Sequence, residues 1–186
     1  MSVAPRAFPL VLATVVAVVL ALAAWSSLPS SSARAPVGGE ATVVRVVDGD
    51  TVVVDVGGAE ESVRLIGINT PESVARDRPN ECFGVEASDR LEALLPVGTT
   101  VRLTRDVEPR DVYDRLLAYV QRSSDGLFVN AAQVADGYAE AKDYPPNTTY
   151  RDDFEQAERA ARQAGLGLWS TCGGPDVVLA SPPAEP

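Results

Sequence analysis

The residues best suited to chemistry in this chain fall in three short stretches. DGDT at Asp48–Thr51 contributes Asp50. VRLIGINTPE at Val63–Glu72 contributes Arg64, Asn69, Thr70 and Glu72. DVYDR at Asp111–Arg115 contributes Tyr113 and Arg115. Two guanidinium forks can hold a phosphate bidentately. The Asp50 carboxylate, the Asn69 amide oxygen and neighbouring main-chain carbonyls are hard oxygen donors of the kind Ca²⁺ takes. Glu72 is a side chain that can deprotonate a water. Assembled on one rim, these groups would carry out metal-assisted attack on a phosphodiester.

Each residue alone has a plainer explanation. DGDT is a common turn. Arg64 could pair with Glu61 or Asp55, and Arg115 with Asp111 or Asp114. Glu72 after Pro71 could open a helix, where a carboxylate is favoured. Their joint occurrence in this order favours the chemistry. The chain contains no histidine, which excludes Ser-His-Asp and Cys-His nucleophilic schemes and histidine-ligated zinc.

The elements that must position these groups are β-rich. ATVVRVV from Ala41 is β-branched and runs into the DGD turn; TVVVDV follows and ends at Gly57-Gly58, a hairpin signal. SVRLIGI is the third strand, with Val63, Leu65 and Gly67 on one face and Arg64, Ile66 and Ile68 on the other. VEASDRLEALL, Val85–Leu95, then changes to helical spacing. TVRLTRDV and RLLAYVQR read as two more strands. FVNAAQVADG is a short helix capped by Gly137, and Tyr150–Gln163 is a second, stopped by Gly165 and Gly167. Three hairpin-linked strands, a helical excursion and two further strands fit an OB-type Greek-key barrel. A doubly wound sheet would need helices between most strands.

The amino-terminal region has a different composition. Phe8–Trp25 is nearly unbroken Ala, Val and Leu, a run of roughly 27 Å if helical, and Arg6 precedes it. Ala33 and Ala35 frame a small-residue cleavage pattern. Residues 1–35 are therefore expected to be a secretory signal peptide or an uncleaved membrane anchor, with residues 8–25 as the tether. Either places the domain outside the cytoplasm, secreted or membrane-anchored. Residues 36–40 are expected as linker, 41–172 as the folded domain and 173–186 as a disordered tail.

Of 16 basic and 26 acidic residues, only Arg6 and Arg34 fall in the first 35, which leaves 14 against 26 and a net charge of −12 for the rest. That balance argues against charge-driven, non-specific nucleic-acid binding, though not against a local basic pocket. Cys82 and Cys172 are the only cysteines. In an exported protein they suit a disulfide tying the carboxyl-terminal end to a mid-chain loop; two buried thiols are the alternative.

With these motifs in view, the chain resembles the thermonuclease family of staphylococcal-nuclease-like domains. The resemblance covers about residues 41–171. It rests on VVDGDTV, VRLIGINTPE, CFGVEAS, DVYDRLLAYV, GLFVNAAQVADGYA, YPPN and AERAARQAGLGLWS in that order. It implies an α+β fold, a five-stranded OB-fold β-barrel with three α-helices; the chain is expected to act as a monomer. It also implies a calcium-dependent nuclease that hydrolyses DNA and RNA to 3′-phosphate ends. By position, Asp50 and Asn69 match the metal-binding side chains, and Thr70 gives its main-chain carbonyl. Arg64 and Arg115 match the arginines that hold the scissile phosphate, Glu72 the general base, and Tyr113 and Tyr144 the nucleotide pocket.

Two departures stand out. Asn69 replaces an aspartate, so calcium is expected to bind more weakly and Asn69→Asp to tighten it. Asp114 replaces a glycine before the second arginine, adding a carboxylate expected near the phosphate. The acidic surface predicts a weaker, more salt-tolerant nuclease. The competing possibilities are a non-catalytic OB-fold module that binds nucleic acid or another ligand, and a surface domain whose carboxylates bind calcium for stability alone. NTT at Asn147 is a glycosylation sequon.

Overall fold

A computed structural model describes residues 39–73 and 80–179. The expected leader or anchor at 1–35 and most of the expected linker lie outside the described residues. Among the described residues, no helix is long and apolar enough to cross a membrane.

Five strands close into a barrel in the order β1-β2-β3-β6-β5. They are β1 (Glu40–Asp48), β2 (Thr51–Val56), β3 (Ala59–Leu65), β5 (Thr100–Thr104) and β6 (Leu116–Arg122). β1, β2 and β3 are joined by tight hairpins; β3 and β6 pair in parallel, Arg64 opposite Leu117. β5 closes the barrel by pairing with both β6 and β1. This is the Greek-key arrangement read from the strand pattern. β1 begins at Glu40, inside the stretch expected as linker.

The helices are α1 (Gly84–Leu94), α2 (Val129–Ala135), α3 (Arg151–Ala164) and a four-residue α4 (Leu168–Thr171). The three expected helices are present, and α4 is added where Gly165 and Gly167 were read only as stops. α1 lays Ala87, Leu91 and Leu94 onto the barrel, and α3 contributes Phe154 and Ala161 to the buried interior. These join Val52, Val54, Val63, Leu65 and Val120 in one core. Phe154 is among the largest fully buried side chains, so truncating it to alanine should cost about 3–5 kcal/mol.

The third strand departs from expectation. It ends at Leu65, and Gly67 turns the chain with φ 80°. A Cβ there would collide with the Phe154 ring, so only glycine fits beneath α3. Ile68–Asn69 then forms a separate strand, β4, pairing antiparallel with β7 (Glu140–Ala141). Ile68 is buried and Asn69 opens towards the rim.

The stretch from residue 173, expected to be a disordered tail, is ordered through Leu179. Cys82 is bonded to Cys172 across 90 residues of sequence. Cys82 N–H donates to the Val177 carbonyl and Leu179 N–H to the Asn80 carbonyl, with Glu81 bridging Val178. Composition alone missed this, because the order comes from pairing with a distant segment and not from local propensity.

Candidate active site

Asp50 sits in the β1–β2 turn and is buried, and Gln133 of α2 fixes that turn by donating to the Gly49 and Ala87 carbonyls. Arg64 projects from β3, opposite Thr51 in the pairing. Its Nη1 lies 2.6 Å from Asp50 Oδ2 and also donates to the Leu65 carbonyl at 3.2 Å. Its Nη2 donates to Tyr144 Oη at 3.2 Å and to Asn69 Oδ1 at 3.4 Å. The Tyr144 ring centroid is 5.6 Å from the guanidinium carbon. Thr70 supports Asp50 from the buried side: its main-chain N–H and its hydroxyl both donate to Asp50 Oδ2, each at 3.0 Å.

Burial pushes the Asp50 carboxyl up to about 6; Arg64 pulls against this, Asp48 adds to the push, and the Thr70 hydrogen bonds pull it down. Burial also raises Glu140, opposed by Lys142 and the Asn69 amide.

Arg115 stands just before β6, one strand over. Its Nε donates to Asp111 Oδ2 at 2.7 Å, and its main-chain N–H and that of Tyr113 donate to Asp111 Oδ1, each at 2.9 Å. Burial alone would raise the Asp111 carboxyl, but these Arg115 and Tyr113 contacts outweigh it and hold the group below its usual range. The Tyr113 ring is 78% exposed, with its centroid 5.5 Å from the Arg115 guanidinium carbon.

Glu72 follows β4 and Pro71 and is itself outside any helix. Its backbone is clamped. Glu72 N–H donates to Glu81 Oε2 at 3.0 Å, and Glu81 N–H returns a bond to the Glu72 carbonyl at 2.8 Å. Gly84 packs so closely that a Cβ there would lie 2.6 Å from that carbonyl oxygen.

These stretches meet at one cleft of about 530 Å³, lined by Asp50, Arg64, Asn69, Glu72, Tyr113, Arg115 and Tyr144 among others. Of the residues singled out from sequence, Thr70 does not line it and acts through Asp50. The plainer partners proposed for Arg64 are otherwise engaged: Glu61 pairs with Arg110 at 2.8 Å, and Asp55 accepts from Gly58 N–H.

The match to known proteins is extensive. The family model described as staphylococcal nuclease homologue matches residues 62–171. A thermonuclease of Staphylococcus intermedius is 42% identical over 142 residues, covering 76% of this chain and 83% of the relative. A thermonuclease of Staphylococcus hyicus is 39% identical, covering 69% of this chain and 74% of the relative. The chain belongs to the staphylococcal nuclease homologue family. The endonuclease YncB of Bacillus subtilis is similar at 37% identity, covering 71% of this chain and 62% of its own length.

Within this nuclease-family domain, one expectation needs correcting. The Asp114 carboxylate does not join the cleft lining. It is 87% exposed and lies 3.5 Å from Arg110 Nη1, on the Glu61 side. Asp114 does adopt the conformation glycine would favour, with φ 65°. Asn147 is not an accessible glycan acceptor: it is 1% exposed, accepts from Glu108 N–H at 2.7 Å and donates to the Glu108 carbonyl at 3.1 Å. That pair ties the cleft wall carrying Tyr144 to the segment before β6. Glu81 and Glu140 were missed from sequence. Each acts by touching a site residue brought to it by the fold, and neither carries a local signal.

Proposed function

We propose that this protein is an extracytoplasmic, calcium-dependent nuclease that hydrolyses DNA and RNA, leaving 3′-phosphate ends. It is a nuclease of the staphylococcal family, and so a hydrolase of phosphodiester bonds. The observation carrying the finer statement is the convergence of both arginines, Glu72, Asp50 and Asn69 on one cleft.

The chemistry of the donor set suits Ca²⁺ only weakly. Asp50 is a buried carboxylate whose ionised form is disfavoured by burial, and such a group gains from a cation. Asn69 Oδ1 turns towards Arg64, so a positive group already bridges the two oxygen ligands. All candidate donors are oxygens, which suits a hard cation. The charge is low: among the described residues no cluster of three or more His, Cys, Asp or Glu is placed to hold a metal. The set therefore fits a weakly held Ca²⁺ carried by Asp50 and Asn69, with Thr70 supporting Asp50 from behind. Extracellular sites work at about 10⁻⁴ to 10⁻³ M. Bound there, Ca²⁺ would polarise the phosphodiester and neutralise its charge.

The remaining steps belong to side chains. Arg64 and Arg115, on adjacent strands, hold the phosphate oxygens and meet the charge that grows on them. Glu72, with its backbone fixed by Glu81, takes a proton from the attacking water. The P–O5′ bond breaks, the departing O5′ takes a proton from solvent to become the 5′-hydroxyl, Glu72 gives its proton back to solvent, and a 3′-phosphate is left. Tyr113 and Tyr144 flank the arginines and offer ring faces to the nucleotide. The Cys82–Cys172 bond and the apolar leader support location outside the cytoplasm, as a secreted or tethered monomer. Mass spectrometry of the exported protein reads leader removal and disulfide directly.

The test is DNA cleavage with and without calcium, in wild type, Glu72→Gln and Arg115→Ala. Calcium-dependent cleavage lost in both variants is expected. Full activity in Glu72→Gln would remove the proposed base. DNA binding without cleavage in the wild type would make the domain a non-catalytic OB-fold binder.

A further inference from the structure

β4 and β7 are two residues each, and their pairing places Asn69 directly opposite Glu140. Across the pair, Asn69 Nδ2 donates to Glu140 Oε1 at 3.1 Å. An amide has one donor end and one acceptor end. With the donor end committed to Glu140, the acceptor Oδ1 faces Arg64 Nη2 at 3.4 Å, on the cleft side. Glu140 is not part of the lining; its side chain is 13% exposed, with Lys142 Nζ 3.6 Å from its Oε1.

We propose that Glu140 is a positioning residue for the cation site: it fixes the Asn69 amide with its oxygen towards the cleft and makes an amide, not a carboxylate, the working group at position 69. This rests on the assignment of Asp50 and Asn69 as cation ligands. An aspartate at 69 has no donor to offer Glu140, and like charges directly opposite on paired strands repel. The extra charge that would tighten calcium is then spent against Glu140. The simple expectation that Asn69→Asp improves the site fails unless Glu140 is neutralised too. Positions 69 and 140 form one unit, to be changed together.

The experiment is a double-mutant cycle read by calcium titration calorimetry on the purified metal-free protein, with thermal melts in parallel. The proteins are wild type, Asn69→Asp, Glu140→Gln, Asn69→Asp/Glu140→Gln and Asp50→Asn. Asn69→Asp alone should bind calcium no tighter than wild type and melt lower. The double variant should bind about tenfold tighter than wild type, since ligand charge sets affinity, and should recover the melting temperature. Equal tightening in Asn69→Asp and the double variant would overturn the proposal. So would equal affinities for Glu140→Gln and the double variant, a comparison that does not need Asn69→Asp to fold. Absence of calcium binding in wild type, or binding unchanged in Asp50→Asn, would sink the ligand assignment and this proposal with it.

Discussion

The cleft contains the same three-part device twice, at two depths. In the floor, Arg64 stands between an acid, Asp50, and a tyrosine, Tyr144. At the rim, Arg115 stands between Asp111 and Tyr113. The floor unit is assembled from the β1–β2 turn, β3 and the chain after β7, and the side chains of its ion pair are 10% and 8% exposed. The rim unit comes from five consecutive residues, and its arginine side chain is 30% exposed. One guanidinium is therefore buried in the cleft floor against the barrel, while the other is held at the cleft's edge by its own loop. Substrate binding can ask for both, but stability should depend on only one.

Substitutions can break that contrast. Arg64→Ala leaves Asp50 buried without its cation, so we expect loss of cleavage together with about 3 kcal/mol of stability by urea unfolding. Arg115→Ala should lose cleavage by about 10²-fold yet change stability by less than about 1 kcal/mol. A comparable stability loss in both would show that depth does not separate the two units. Asp111→Ala should act more mildly, lowering kcat/KM about tenfold by releasing Arg115, with full calcium affinity by calorimetry.

The two acids also differ in the sign of their pH response. Asp50 titrates near 6 when folded against an ordinary 3.8. Between those values the folded chain holds the extra proton, so in metal-free protein this group's contribution to stability falls as pH rises from about 4 to 6. Asp111 is held below its usual range; its contribution is present above the ordinary value and lost as pH falls beneath it. Asp50→Asn should flatten the first slope and Asp111→Asn the second, measured as unfolding free energy at stepped pH. The smallest effect expected is for Asp114→Gly, which relieves the left-handed residue at φ 65° and should stabilise by up to about 1 kcal/mol. Cleavage should be unchanged, because its carboxylate faces Arg110.

Much of this was legible in the letters. Strand periods and turn residues located the five barrel strands, and oxygen-bearing residues at strand ends marked the cleft. What stayed hidden depended on partners far apart in sequence. The break at Gly67 is imposed by Phe154 of α3, and no local pattern around residue 67 reports that ring. Glu140 reads as one more charge on a polar stretch until the β4–β7 register sets it against Asn69. Asn147 matches a sequon locally, but its burial against Glu108 is a property of the closed fold. The ordered stretch after Cys172 was misread for the same reason.

The bond between Cys82 and Cys172 also bears on when the protein can become active during its making. The segment that steadies Glu72 is secured by residues synthesised almost a full domain later. A nascent chain still on the ribosome lacks that anchorage, and a reducing compartment withholds it even from the finished polypeptide. Glu72 would thus gain its full backbone clamp only once the chain is complete and the bond has formed.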